Sequence, residues 1–163
     1  MTGLTLIFFI AWLHFSAFFI WALFKNDYSV IDMGWGLGPL VLLLPFYKQL
    51  NLFESPINFM IFFYVLLWSL RLTIYLYFRN KKVGEDKRYT EIRDLWESRF
   101  HHLKGYFFIF MFQALLLVIV TSPLWTYFLR ARESHISFFI FGSLIFFLGF
   151  AIEAHSDWIK NRF

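Results

Sequence analysis

Long apolar runs alternate with short polar connections along this chain. Five runs approach the roughly 20 helical residues that cross a bilayer, and they lie near residues 4–24, 30–47, 57–78, 106–129 and 136–159. None of them alternates polar and apolar positions with the period of a strand, and an open sheet edge leaves backbone groups unpaired in lipid. The pattern therefore predicts an all-α, polytopic transmembrane helical bundle with about five spans.

One polar segment, residues 79–104, separates the third run from the fourth. It carries eight of the 15 Lys and Arg residues of the chain. Because connections rich in Lys and Arg stay in the cytoplasm, we expect this segment to be cytoplasmic and the N-terminus to lie outside. Eleven basic residues then lie inside and three outside, with Arg71 within a span.

Part of this connection has the spacing of an amphipathic helix. Tyr89, Ile92, Trp96 and Phe100 recur at helical intervals, and charged residues occupy the other faces. We expect a helix over residues 89–100 that lies on the cytoplasmic membrane surface. Two roles stay open, a linker that packs on the bundle and a lid over a cofactor site.

The composition supports the membrane class and excludes several others. Hydrophobic residues make up 60% of the chain and charged residues 16%, which is too apolar for a soluble domain of 163 residues. We interpret residues 1–163 as a single integral membrane domain. The basic residues flank the apolar runs, which indicates contact with lipid headgroups and no nucleic acid. There is no cysteine, and the His101-His102 pair lacks further ligands at useful spacing, so we expect no metal site.

Polar residues within the runs are costly in lipid and usually face a partner. Three interpretations of Asp32 stay open: the N-cap of a helix, an ion-pair partner of Arg71, or a group that polarises a substrate. Gln113 and His14 are interpreted as interhelical hydrogen-bond partners. The small residues of the stretch GWGLG, residues 34–38, are expected to let two helices approach closely.

The end of the fifth run carries a polar face. Glu153 and Asp157 are four residues apart and therefore lie on one side of a helix, and Asn161 continues that side one turn later. Two neighbouring carboxylates repel unless something donates to them. Cations of the long connection or the hydroxyls of a bound ribose would satisfy this requirement, and the sequence leaves both open.

Three motifs resemble those of uncharacterised membrane proteins that carry a steroid 5-alpha-reductase-type domain. They follow in order along the chain: VIDMGWG from residue 30, RNKKVGEDKRY from residue 79 and EAHSDWIK from residue 153. The resemblance implies an all-helical membrane fold and a cytoplasmic NADPH site. It also implies hydride transfer to a carbon–carbon double bond conjugated to a carbonyl, in a hydrophobic small-molecule substrate that enters from the bilayer.

The resemblance also implies which residues act on the substrate. The steroid reductases hold the substrate carbonyl with a carboxylate from an early span and a tyrosine from a later one. The matching positions are Asp32 and Tyr77, with Tyr75 or Tyr89 as alternatives for the tyrosine.

The cofactor contacts implied by the resemblance come from two segments. On the last run the polar face that contacts NADPH matches Glu153, Asp157 and Asn161, although the steroid reductases have a neutral amide at the first of these. In the long connection we expect further contacts to phosphates or adenine, from Arg79, Glu85, Arg88 and Tyr89. The competing interpretation of that connection is a local Glu85–Arg88 salt bridge, with Tyr89 as an interfacial anchor.

Relatives of this type continue for two further spans with a basic, histidine-bearing motif that holds the cofactor phosphates. We therefore expect this chain to be the N-terminal part of a longer domain, and to bind cofactor weakly or be inactive if it ends at Phe163. Two other functions stay open. One is a non-catalytic membrane protein, such as a small transporter or an assembly partner. The other is an S-adenosylmethionine-dependent membrane methyltransferase of the same superfamily.

Overall fold

The fold is helical throughout the part of the chain that the computed structural model describes, residues 3–52, 54–96, 100–130 and 136–160. Helix accounts for 91% of it, without a strand. The α-helices are α1 Gly3–Lys25, α2 Ile31–Leu43, α3 Tyr47–Leu50, α4 Pro56–Val83, α5 Lys87–Asp94, α6 His101–Lys104, α7 Phe112–Val120, α8 Ser122–Arg130 and α9 Ile136–Lys160. Short 3-10 turns at Tyr28–Val30 and Leu44–Phe46 flank α2, and a π-helical stretch, Gly105–Met111, joins α6 to α7.

Within the described ranges, five helical segments are long and apolar enough to cross a membrane, which confirms the predicted fold class. They are Gly3–Lys25, Tyr28–Leu50, Pro56–Val83, His101–Val120 and Ile136–Lys160. The fourth span differs in its bounds from the predicted run near residues 106–129, because it ends at Val120 and α8 follows as a separate helix. Pro123 accounts for the break, since it has no N–H to continue the backbone ladder.

The second span, which contains α2, is the centre of the bundle. Two of its glycines lie where a side chain would collide with a neighbour. A Cβ on Gly36 would lie 2.3 Å from Thr73 Oγ1 and 3.0 Å from the Thr73 backbone nitrogen of α4, and a Cβ on Gly38 would lie 2.4 Å from a methyl of Leu117. The expectation that small residues bring helices together here is confirmed.

A tight turn at Gly84 separates α4 from α5. Gly84 ends α4 with a φ of +79°, a conformation that residues with a Cβ rarely adopt. Asp86 then caps α5, because its side chain accepts a hydrogen bond from the backbone N–H of Arg88. This turn sends the chain back across the end of the bundle.

Helix α5 is shorter than the predicted amphipathic helix over residues 89–100, and residues 97–99 of that prediction lie outside the described part of the chain. Tyr89 is buried, and Ile92 and Trp96 are half-buried against the bundle core. The apolar side of α5 therefore packs on the bundle.

Helix α9 lies mainly against α4, and none of its residues is fully buried. Two aromatic rings and a hydroxyl hold the middle of the pair together. The ring of Tyr64 stacks on Phe146 with 4.7 Å between centroids, and its hydroxyl donates to Ser143 Oγ at 3.2 Å. Most of the exposed side chains of α9 are apolar, as those of a lipid-facing span are.

Candidate functional site

A cavity of about 550 Å³ opens where α4 and α9 end and α5 begins. Basic side chains dominate its lining. The cations are Arg79, Lys82, Arg88 and Lys160, and the other lining residues are Tyr75, Val83 and Asp86. Four cations face a single carboxylate among these residues. The region, called the basic cavity below, therefore has a positive field that favours an anionic ligand.

Asp86 organises two of the cavity's guanidinium groups. Its Oδ2 atom lies 2.7 Å from Nη2 of Arg79 and 2.8 Å from Nη2 of Arg88, and Arg88 Nε donates to Oδ1 at 3.1 Å. These hydrogen bonds, chiefly those from Arg88, hold the pKa of the Asp86 carboxyl well below its usual range. The pKa of Arg88 is raised in return by the same contact. Both groups therefore stay charged at neutral pH.

Asp32 and Tyr89 form a hydrogen-bonded pair next to this cavity. The Tyr89 hydroxyl donates to Asp32 Oδ1 at 2.7 Å, and Asp32 Oδ2 lies 3.9 Å from Nη2 of Arg88. Burial, together with the Asp32 carboxylate, raises the pKa of the Tyr89 hydroxyl well above its usual range. Tyr89 is therefore a neutral hydrogen-bond donor at physiological pH, and Asp32 is its acceptor.

The N-cap interpretation of Asp32 was wrong. Asp32 lies in the first turn of α2, and Asp27 caps the preceding 3-10 turn by accepting from the backbone N–H of Ser29 at 2.8 Å. The side chain of Asp32 is therefore not needed by the helix end, which leaves it to bind Tyr89.

Further polar contacts join α2 to α7 and to α1 near this pair. Trp35 donates its indole N–H to Gln113 Oε1 between α2 and α7, and the Gln113 amide also faces the Tyr89 hydroxyl. His14 of α1 lies with Nε2 2.9 Å from the carbonyl oxygen of Gly34. The interpretation of Gln113 and His14 as interhelical hydrogen-bond partners is confirmed.

Arg71 binds the two carboxylates of α9. Its guanidinium lies 2.5 Å from Glu153 Oε1 and 2.6 Å from Asp157 Oδ2. Trp68 donates its indole N–H to the other oxygen of Glu153 at 2.8 Å, and the guanidinium lies over the Phe150 ring at 5.2 Å. The suggested pairing of Arg71 with Asp32 was therefore wrong. The cation that satisfies Glu153 and Asp157 comes from a neighbouring span, and not from the long connection.

Glu85 belongs to a different cluster from Arg88. It accepts from the Tyr28 backbone N–H at 2.7 Å and forms an ion pair with Arg93, whose guanidinium lies 5.2 Å from the Tyr28 ring centroid. The Tyr28 hydroxyl in turn contacts His102 Nδ1 at 2.9 Å. The suggested Glu85–Arg88 salt bridge was wrong, because Glu85 joins α5 to the start of the second span.

The structure brings together some of the predicted site residues and separates others. Arg79 and Arg88 line the basic cavity, and the Asp32–Tyr89 pair adjoins it. Tyr77, the tyrosine matched to Asp32, is 47% exposed and lines grooves on the opposite side of α4. Asn161 lies outside the described residues.

Three charged residues of the cavity were not predicted, namely Lys82, Asp86 and Lys160. Helical spacing contained a signal for two of them, because Lys82 follows Arg79 by three residues and Lys160 follows Asp157 by three, so that each pair shares one side of its helix. Asp86 follows Gly84 in a turn, where an acidic residue before a helix indicates a cap.

The fold and the cavity together define a helical membrane protein with five candidate spans in the described residues and a cavity lined by basic side chains at one end. Residues 18–163 match a family described as a protein of unknown function, DUF1295. The chain belongs to this family of uncharacterised membrane proteins. Comparison with curated proteins and with solved structures gave no match.

Proposed function

We propose that this protein is a membrane-embedded reductase that uses NADPH to reduce a carbon–carbon double bond conjugated to a carbonyl in a lipid-like substrate. The basic cavity is the observation that carries the proposal. It supplies four cations at the end of the bundle, and a hydrogen-bonded carboxylate and tyrosine lie directly beside it.

The lining of the basic cavity suits NADPH in charge and in size. The cofactor is a polyanion through its phosphate groups, and arginine binds phosphate through paired N–H donors. A cavity of about 550 Å³ is within the range of small-molecule and cofactor sites. In the proposal, Arg79, Arg88, Lys82 and Lys160 hold the phosphates. When bound, NADPH supplies a hydride to the β-carbon of the substrate, and a proton from water completes the reduction at the α-carbon.

The Asp32–Tyr89 pair has the chemistry required at the substrate carbonyl. Negative charge develops on the carbonyl oxygen as the double bond is reduced, and a hydrogen-bond donor aimed at that oxygen lowers the barrier. In the proposal, the Tyr89 hydroxyl turns from Asp32 toward this oxygen. Asp32 orients the hydroxyl beforehand, and the high pKa of Tyr89 keeps its proton in place at neutral pH.

The charge of the basic cavity favours a reductase over the methyltransferase alternative. S-adenosylmethionine carries a positive sulfonium and ammonium against one carboxylate, so four cations around it are unfavourable. The transporter alternative rested on polar residues within the spans. In the structure Asp32 is paired with Tyr89, Arg71 with two carboxylates and Gln113 with Trp35, so each of these groups already has a partner within the bundle.

We further propose that the end of the bundle carrying the basic cavity faces the cytoplasm, where NADPH is available. The ends of α1, α4 and α9 at this side carry basic residues, as cytoplasmic boundaries do. Because the chain has no cysteine, a single Lys87→Cys substitution reports the side directly. We expect an impermeant maleimide to label this cysteine only after the cells are opened. Labelling in intact cells would mean that this end of the bundle faces outside.

Cofactor binding is the first test. We expect NADPH, titrated into the full chain in lipid nanodiscs, to give saturable nicotinamide fluorescence and a thermal shift. Replacing Arg88 with Gln removes charge-assisted bonds and is expected to weaken binding about tenfold or more. Lys48→Gln, at the other end of the bundle, removes the same charge and is expected to have no effect. Absence of saturable binding at millimolar NADPH, or tighter binding of S-adenosylmethionine, would refute the reductase.

The second test separates chemistry from binding. Tyr89→Phe keeps the ring and removes the proposed donor. We expect NADPH affinity to change little and NADPH oxidation with an enone lipid to fall about 100-fold, which is typical for loss of one donor to a developing oxyanion. Tyr77→Phe is the matched control and is expected to retain activity. A large loss of activity in Tyr77→Phe with little loss in Tyr89→Phe would instead assign the catalytic role to Tyr77.

A further inference from the structure

A groove runs along the outer side of the bundle between α1, α2 and α4, across α4 from the basic cavity. It consists of two adjoining depressions of about 220 and 240 Å³. Three residues line both depressions and so make them one groove: Trp21, Met33 and Tyr77. We call it the lateral groove.

The lateral groove is divided into a polar half and an apolar half. The polar half lies where α1 and α4 end, and its further lining residues include Lys25, Asp27, Asn80 and Lys81. The apolar half continues along the spans, and its further lining residues are Phe18, Leu37, Thr73, Ile74 and Phe78. The groove thus changes from charged to apolar along α4, in the same order as a bilayer changes from headgroup to hydrocarbon.

The polar half carries an excess of positive charge. Both lysines are exposed, and no ion pair joins either amine to a carboxylate within the described ranges. Asp27 is the one carboxylate among the lining residues of the polar half, and its Oδ1 atom already accepts from the backbone N–H and the hydroxyl of Ser29. Two ammonium groups are therefore available to a ligand.

We propose that the lateral groove binds one acidic phospholipid from the bilayer. Its phosphate lies between Lys25 and Lys81, and an acyl chain follows the apolar half along Ile74 and Phe78. A bilayer lipid is the occupant because a free phosphate would use only the polar half and leave the apolar half empty. The rings of Trp21 and Tyr77 lie at the boundary of the two halves, as amphipathic aromatic side chains do at the headgroup level.

An acidic lipid fits better than a zwitterionic one. The two lysines attract any phosphate, but the choline of phosphatidylcholine brings a cation next to them, whereas phosphatidylglycerol brings none. The groove shares no lining residue with the basic cavity, so this proposal stands independently of the proposed reductase activity.

Native mass spectrometry of the full chain tests the proposal. The protein is released from detergent in the presence of equal amounts of phosphatidylglycerol and phosphatidylcholine. We expect one phosphatidylglycerol to remain bound at activation energies that remove other lipids. Lys25→Gln with Lys81→Gln is expected to weaken retention about tenfold or more, since each lysine near a headgroup contributes to binding.

A matched control distinguishes the groove from general surface charge. Lys87→Gln with Lys104→Gln removes the same two charges from the same end of the bundle, at positions that do not line the groove. We expect this variant to retain the lipid. Equal losses in the two double variants would mean diffuse electrostatic attraction and would overturn the proposal.

A third variant tests the apolar half without changing charge. Ile74→Trp fills the groove and is expected to reduce phosphatidylglycerol retention while circular dichroism stays unchanged. Inorganic phosphate at millimolar concentration is expected not to displace the lipid. Retention unaffected by Ile74→Trp, or displacement by inorganic phosphate, would show that no acyl chain occupies the groove and would refute the proposal.

Discussion

Replacing Arg71 with Met is expected to detach α9 from α4. Among the described residues, Arg71 is the cation that forms ion pairs with two carboxylates of α9, one turn apart on the same side of that helix. Met has a similar length and preserves packing, but it leaves Glu153 and Asp157 facing each other without a cation. The two acids then either repel or bind a proton, and both outcomes cost free energy.

The size of this effect follows from the exposure of the three groups. The side chain of Arg71 is 17% exposed and that of Asp157 is 15% exposed, whereas that of Glu153 is 36% exposed. Removing one partner of a buried ion pair costs about 3–5 kcal/mol. The partly exposed Glu153 contributes less because water screens it. We therefore expect Arg71→Met to lower the free energy of unfolding by about 2–4 kcal/mol.

The assay must report on α9 as well as on the entire protein. Thermal unfolding in detergent measures the global loss, and hydrogen exchange of peptides from residues 145–160 measures the release of α9. Rescue identifies the cause. Adding Glu153→Gln and Asp157→Asn to Arg71→Met removes the unpaired charges, and we expect the triple variant to recover at least half of the lost stability.

Two results would refute this reasoning. One is a loss below about 0.5 kcal/mol, the size typical of an exposed ion pair. The other is failure of the triple variant to recover stability, which would mean that the packing of the arginine stem, and not its charge, holds the two helices.

Two further predictions concern the centre of the bundle and the turn before α5. Gly36→Ala puts a Cβ against the Thr73 backbone and is expected to lower the free energy of unfolding by about 1–3 kcal/mol, measured by thermal unfolding. The control is Gly149→Ala, where a Cβ meets nothing within 4 Å and which is expected to stabilise the protein or have no effect. Equal effects of the two variants would contradict the close contact at Gly36. Asp86 has a pKa lowered by Arg88, so its contribution to stability is complete above the unfolded-state pKa of about 3.9 and is lost as pH falls further. We expect the stability difference between parent and Asp86→Asn to be constant from about pH 7 to 5 and to shrink below about pH 4, and a decline already at pH 6 would contradict this assignment.

The sequence predicted the spans well because apolar length is a property of each segment by itself. It failed at Thr121, where the fourth run continues in composition but the helix stops before Pro123. The π-helical stretch Gly105–Met111 was also unpredicted, since its apolar residues are those of an ordinary spanning helix.

Ion-pair partners could not be chosen from the sequence, because the choice depends on how far one helix is displaced along another. The contact of Gly36 with Thr73 sets this displacement between α2 and α4. Asp32 lies four residues from Gly36 toward the basic end, and Arg71 lies two residues from Thr73 in the opposite direction. At 1.5 Å per residue the two are offset by about 9 Å along the bundle, so they do not pair.

The same displacement explains which tyrosine reaches Asp32. The sequence offered three tyrosines, Tyr75, Tyr77 and Tyr89, and the resemblance favoured Tyr77. In the helix α4, Tyr77 points to the side opposite Tyr75 and Arg79, whereas the turn at Gly84 returns the chain so that Tyr89 lies over Asp32. A reversal of this kind depends on backbone conformation and is not visible in the order of residues.

Within the last two turns of α4, residues that are neighbours in the chain face two different depressions. Arg79, Lys82 and Val83 line one, and Asn80 and Lys81 line the other. A small rotation of this helical end would widen one depression while narrowing the other. Two ligands that occupy them would thus influence each other's affinity, and thermodynamic reciprocity makes that influence equal in both directions. The dissociation constant of the proposed cofactor should then differ between the protein in pure detergent and the protein in native lipid.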